Sequence, residues 1–180
     1  MRTTEVRPTG IERTFGENEL IVSKTDPRGV ITYANDVFLR VSALPEEQAI
    51  GSPHNVIRHP DMPRAVFKLL WDVLEDRREI FAYVLNLAAD GAHYWVFAHV
   101  TPSFDRSGRL LGYHSNRRRP SPAAITTIRD VYGRLLAEER RQTRTPDAVA
   151  AGMAALRGML TERGVTYDEL VWEITDGGRR

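Results

Sequence analysis

The densest cluster of side chains able to do chemistry is Pro53-His54-Asn55-Val56-Ile57-Arg58-His59-Pro60-Asp61-Met62-Pro63. Prolines fix φ and remove amide donors, so this stretch reads as a stiffened loop rather than a regular helix or central strand. It gathers Arg58, His59 and Asp61 in a small volume just ahead of an amphipathic helix. Arginine can grip a phosphate or carboxylate with two parallel hydrogen bonds. A helix N-terminus starting near Met62 adds a dipole that favours an anion. The pattern therefore suits an anion or cofactor site. An ordinary helix entry has the same composition, with Asp61 as its N-cap and His59 as a structural hydrogen-bonder.

Other chemistries fall away. With no cysteine, disulfides, thiolate metal sites and cysteine nucleophiles are excluded. The five histidines show no zinc-like spacing and no acidic cluster beside them. His93 and His99 share the outer face of one strand, which argues against an axial haem ligand. No nucleophile–base pair emerges, so an enzyme is not expected. A formal net charge of +1 gives no reason to expect nucleic acid, and Arg117-Arg118-Arg119 reads as a solvated strand end or a contact for acidic side chains. No apolar run approaches the roughly 18 residues of a membrane span, and no signal-peptide core opens the chain. A soluble, cytoplasmic protein is the expectation.

The elements that must position the loop follow from periodicity. Residues 1–18 form a polar N-terminal arm, with Ile11 and Phe15 as its apolar spots. Glu19–Lys24 and Val30–Ala34 read as strands joined by the turn Asp26-Pro27-Arg28-Gly29. Asn35 caps a short helix, Asp36–Ser42, and Pro45–Ile50 forms another helical turn. After the loop, Ala65, Val66, Leu69, Leu70, Val73 and Leu74 repeat at helical spacing, with Trp71 beside them. From Glu79 the period becomes two, giving a three-strand meander over Glu79–Ala89, Ala92–Phe104 and Arg109–Arg117. Ser121-Pro122 and Thr145-Pro146 each read as a cap plus first-turn proline, and Thr166 with Glu169 as a capping box. A low-aliphatic tail, Asp176–Arg180, is expected to fray. The fold class is α+β: a five-stranded antiparallel sheet with short helices on one face, plus C-terminal helices. Its boundaries are an arm over 1–18, a sheet domain over 19–119 and a helical extension over 120–180.

The order of elements and the loop together resemble a PAS domain, and within that superfamily the flavin-binding domain of bacterial aerotaxis receptors. The resemblance is carried by Thr32-Tyr33-Ala34-Asn35-Asp36-Val37-Phe38, by Gly51-Ser52 with the loop, by Phe67, Trp71, Asp90-Gly91-Ala92-His93-Tyr94-Trp95-Val96, Thr101-Pro102 and Gly112-Tyr113. It implies a noncovalent FAD held between the short helices and the inner sheet face, with Arg58, His59 and Asp61 as the loop residues needed for it. Asn35 and Asn86 correspond to pocket asparagines, and Trp71 and Tyr113 complete the implied cofactor set. Asn86 shares a strand face with Ile80, Ala82 and Val84, where an amide can pair with the donors and acceptors of a flavin edge. The chain departs from the family pattern at Ile80, where a tryptophan is usual, at Ala82, a glycine position, and at Leu85 and Leu87, where basic residues are usual.

The implied function is a redox- or oxygen-sensing signal-transduction protein, with a cofactor-free dimerisation or adaptor module as the alternative and a haem sensor as a weaker one. A separate signalling protein, a chemoreceptor or kinase, is the expected downstream partner. The opposite strand face collects Phe81, Tyr83, Leu85, Leu87, Trp95 and Phe97, an apolar surface too large to stay bare. The arm, the C-terminal helices or a second subunit must cover it, and a homodimer through this face, the helices or both is expected.

Overall fold

The computed structural model describes residues 6–177. Five strands, β1 (Ile21–Thr25), β2 (Ile31–Ala34), β3 (Ile80–Leu87), β4 (His93–Phe104) and β5 (Leu110–Arg118), form one sheet in the order β2-β1-β5-β4-β3. The sheet is antiparallel, with Ile21 opposite Arg117, Ser23 opposite Ser115 and Val100 opposite Ser115 on the other side. The helices are α1 (Asp36–Ser42), α2 (Glu46–Ala49), α3 (Arg64–Glu75), α4 (Pro122–Arg140), α5 (Thr145–Arg163) and α6 (Tyr167–Thr175), and the proline loop contains a single 3-10 turn, His54–Ile57. The chain divides into two compact units, Met1–His59 with Val84–Arg119 and Pro60–Tyr83 with Pro120–Arg180.

In the first unit the loop touches both margins of the sheet. Val30, just before β2, bridges Pro53, and Arg58 bridges Asn86 of β3. Five residue steps span at most about 17 Å when extended, and the 3-10 turn shortens that reach. Four strand spacings in a flat sheet come to about 19 Å. The sheet is therefore curled around the loop, and the face it closes over is the one that carries the site. The arm is ordered by pairing: Arg13 N and Ile11 O bond to His93, and Arg13 forms an ion pair with Asp90. At the far end of β5, Gly112 has φ 151, and a Cβ there would lie 1.9 Å from Thr25 O, so only glycine fits.

In the second unit α3 starts two residues later than the sequence suggests. Its N-cap is Pro63, which supplies no side-chain bond. Asp61 does not cap it; the amides of Arg64 and Ala65 donate instead to the carboxylate of Glu139 on α4. Ser121 caps α4 and the Thr166–Glu169 capping box opens α6, both as expected. The Thr145-Pro146 device is shifted by one: Arg144 is the N-cap and makes no side-chain bond. The expected fray of Asp176–Arg180 falls partly on residues 178–180, outside those described.

The apolar outer face is closed from within the chain at one end. Phe81 packs on Trp172 with ring centroids 5.0 Å apart, Tyr83 Oη lies 2.8 Å from Thr175 Oγ1, and Tyr132 Oη donates to Tyr83 O at 2.5 Å. Helices α4 and α6 thus occupy what a second subunit was expected to cover at Phe81 and Tyr83. Leu85, Leu87 and Trp95 are also buried. For Phe81 and Tyr83 the physical reason is the one that suggested an interface: aromatic surface is driven out of water, and helices of the same chain supply the cover.

Candidate functional site

Strand alternation decides which side chains meet inside the curl. The bond from Ala88 N to Ala92 O closes the β3–β4 hairpin, and counting back from it sets Asn86 opposite Tyr94. Along β4 the same face continues through Val96 and Ala98 to Val100, which lie beside Arg117 and Ser115 of β5. Ser23 of β1 lies opposite Ser115. Asn86, Tyr94, Ser115, Arg117, Tyr113 and Ser23 therefore share one face, and all are buried.

Arg117 is the centre of this set. It is 5 % exposed, although it belongs to the three-arginine run read from sequence as a solvated strand end. That reading is corrected by the pleat: Arg118 and Arg119 are exposed while Arg117 turns inward. Its Nη2 donates to Ser23 Oγ at 2.9 Å and to His54 Nε2 at 2.7 Å. Its guanidinium lies 5.9 Å from the centre of the Phe38 ring. Burial lowers its pKa to about 10, a change opposed by Tyr94, so it remains a cation.

His54 is held neutral. Burial pushes its pKa down to about 3, with the Arg117 charge adding to the effect. Since arginine can only donate, Nε2 is the acceptor and Nδ1 carries the proton. Ser23 Oγ, 3.1 Å from the same nitrogen, accepts from Arg117 and can donate to His54. This leaves a buried positive charge that no carboxylate offsets among the described residues.

Three polar atoms on this face lack a partner among the described residues: Asn86 Nδ2, Ser115 Oγ and Arg117 Nη1. Buried donors without acceptors are costly and rare in native proteins. Here they come from three residues on one face, beside an unbalanced cation. The donor set suits a planar ligand that is rich in acceptors and carries negative charge. A flavin with its edge of carbonyl oxygens and ring nitrogens, and its phosphates, fits this description.

The residues expected from sequence are placed as follows. Arg58 is registered directly against Asn86, so the two side chains leave the backbone on the same side. His59, the next residue, is 6 % exposed and packs edge-on against His93, with ring centroids 6.0 Å apart. Tyr113 is buried on the face of Ser115 and Arg117. Asn35 is engaged in architecture: its Oδ1 accepts from Phe38 N and Val22 N at 3.0 Å each, and its Nδ2 donates one bond, to Leu20 O at 2.8 Å. In the second unit, Asp61 pairs with Arg140 at 2.6 Å and Trp71 stands 37 % exposed on α3. The α3 N-terminus, expected to favour a ligand anion, is already occupied by Glu139. Ile80 and Ala82, at the positions of departure, are fully buried. Sequence reasoning missed Ser23, His54, Ser115 and Arg117; the alternation Tyr113-Ser115-Arg117 along β5 was the signal that could have found three contiguous members of the face.

Residues 21–115 match the family described as PAS fold, and the chain belongs to this family. Among characterised proteins it is similar to the aerotaxis receptor of Escherichia coli (strain K12), with 35 % identity over 146 residues, covering 81 % of this chain and 28 % of that receptor. The chain thus spans less than a third of that relative. Among solved structures it resembles the light state of the blue-light photoreceptor Aureochrome1 LOV, at TM-score 0.54 and 21 % identity over 63 % of this chain and 90 % of that one. It also resembles a light-oxygen-voltage domain studied with a flavin analogue, at TM-score 0.53 and 22 % identity over 68 % and 87 %.

Proposed function

We propose that the chain is a flavin-binding redox sensor of signal transduction, with FAD held noncovalently on the inner face of the curled sheet. The observation that carries this reading is the set of buried atoms, Asn86 Nδ2, Ser115 Oγ and Arg117 Nη1, that have no partner among the described residues, around a cation that no described carboxylate offsets. The similarity to an aerotaxis receptor supports a sensory role, and FAD is the cofactor that the resemblance of the loop implies.

In this reading Asn86 and Ser115 orient the ligand by hydrogen bonds, and Arg117 supplies charge. Arg58, registered on Asn86, is the loop's anion-binding group, with His59 beside it as support. His54 keeps Arg117 aimed inward without adding a second charge. The bound cofactor would contribute reversible reduction, with a change in charge and protonation of its ring. As a buried cation Arg117 would favour the more negative form, and Asn86, whose amide can both donate and accept, could pair with either state. A redox state shifts the conformation only in so far as it interacts differently with the two arrangements. Asn86, on β3, and Arg58, on the loop, are the residues through which that difference would act, and a separate signalling protein would read it.

The test is the visible spectrum of the purified chain after reconstitution, with the released cofactor identified by chromatography. FAD in the wild type and its loss in Asn86→Leu are expected. Absence of any flavin from the wild type would instead favour a cofactor-free interaction module.

A further inference from the structure

The first turn of α3 is satisfied from a distant part of the chain. Pro63 offers no capping side chain, so the amides of Arg64 and Ala65 have no local acceptor. They donate to Glu139 Oε2 and Oε1 at 3.0 and 2.9 Å. Glu139 is 5 % exposed, so this carboxylate depends on those two amides for its solvation. Gly152 of α5 makes room for it: a Cβ there would lie 2.5 Å from Glu139 Oε1 and 2.9 Å from the Ala65 Cβ. The next residue of α4, Arg140, pairs with Asp61. Two successive residues of one helix therefore hold both ends of the segment Asp61–Ala65, and a third helix closes over the contact. Shifting the segment alone would break two charge-assisted bonds and leave a buried carboxylate unpaired.

We infer that Glu139 is an internal clasp that makes the segment 60–65 and helices α4 and α5 move as one, passing a displacement of the segment to the C-terminal helices. The clasp stands on its own contacts. Its use as a signal route rests on the proposed cofactor reading, because the segment continues directly from Arg58 and His59.

Arg64→Pro tests the clasp without touching Glu139. Proline is well suited to the first helical position, and Pro63 already has the extended backbone, ψ 135, that must precede one. The variant deletes one donor and keeps the helix. Hydrogen exchange of the full chain should show α4 amides exchanging about tenfold faster in Arg64→Pro and in Glu139→Gln. Because the Ala65 bond survives in Arg64→Pro, the double variant should exceed either single variant by less than the product of their effects. Unchanged α4 exchange in Arg64→Pro, or effects that multiply in the double variant, would overturn the clasp. With FAD bound, oxidised and reduced wild type should differ in α4 exchange, and Glu139→Gln should lose that difference. Its persistence would overturn the signal route. If the chain takes up no FAD, the route falls with the cofactor reading, and the flavin-free cycle still decides the clasp.

Discussion

A buried guanidinium is an expensive residue to keep. Arg117 costs desolvation that Ser23 and neutral His54 only partly offset. Replacing it with methionine, of similar length and apolar, should therefore leave the apoprotein as stable or stabilise it by roughly 1–3 kcal/mol in urea melts. The same change should abolish flavin retention. A stable variant that still binds cofactor would show that Arg117 is only structural. His54 gives a second, pH-based expectation. Its folded pKa of about 3 lies below the ordinary 6.5, so the unfolded chain binds the extra proton. The contribution is complete above pH 6.5 and is lost as pH falls toward 3. Because His54 keeps part of its surface in solvent, the effect is at most a few kcal/mol. The stability gap between wild type and His54→Gln should shrink over that window, as read by urea melts at a series of pH values. A constant gap would contradict the neutral assignment.

At the scale of elements, Asn35 has an architectural role beside its expected ligand role. It caps α1 and ties it to β1 through Val22 N and Leu20 O. Asn35→Ala should cost about 1–2 kcal/mol, read by thermal melts, whether or not flavin is present. A loss confined to the holoprotein would mean that the side chain acts on the ligand instead. Much of this level was legible in the sequence, because it depends on local rules: α1 with its cap, the meander, the capping box at Thr166 and the turn at Asp26 all follow from period and turn chemistry. The loop's stiffness was legible too. The cap of α3 was not, since Glu139 lies 75 positions from Arg64 and no local pattern joins them. The inward turn of Arg117 was hidden because a run of three like charges suggests solvent, while the pleat obeys only alternation.

For the whole molecule, the outer sheet face raises the question of self-association. Phe81 and Tyr83 are covered by α4 and α6 through Trp172, Thr175 and Tyr132. Deleting residues 120–180 should bare this surface and drive concentration-dependent association in sedimentation experiments; a truncated chain that stays monomeric would show that these helices are not its cover. Among the described residues no helix is long and apolar enough to cross a membrane. The two units differ in their buried polar groups: in the second both oxygens of Glu139 are bonded, while in the first three atoms have no partner among the described residues, as a ligand face would. Titration of the apoprotein with FAD, following quenching of flavin fluorescence for wild type and Arg117→Met side by side, tests that most directly. Saturable one-to-one binding to the wild type, weakened about a hundredfold or more in the variant, is predicted. No saturation with the wild type, or equal binding by both chains, would contradict it.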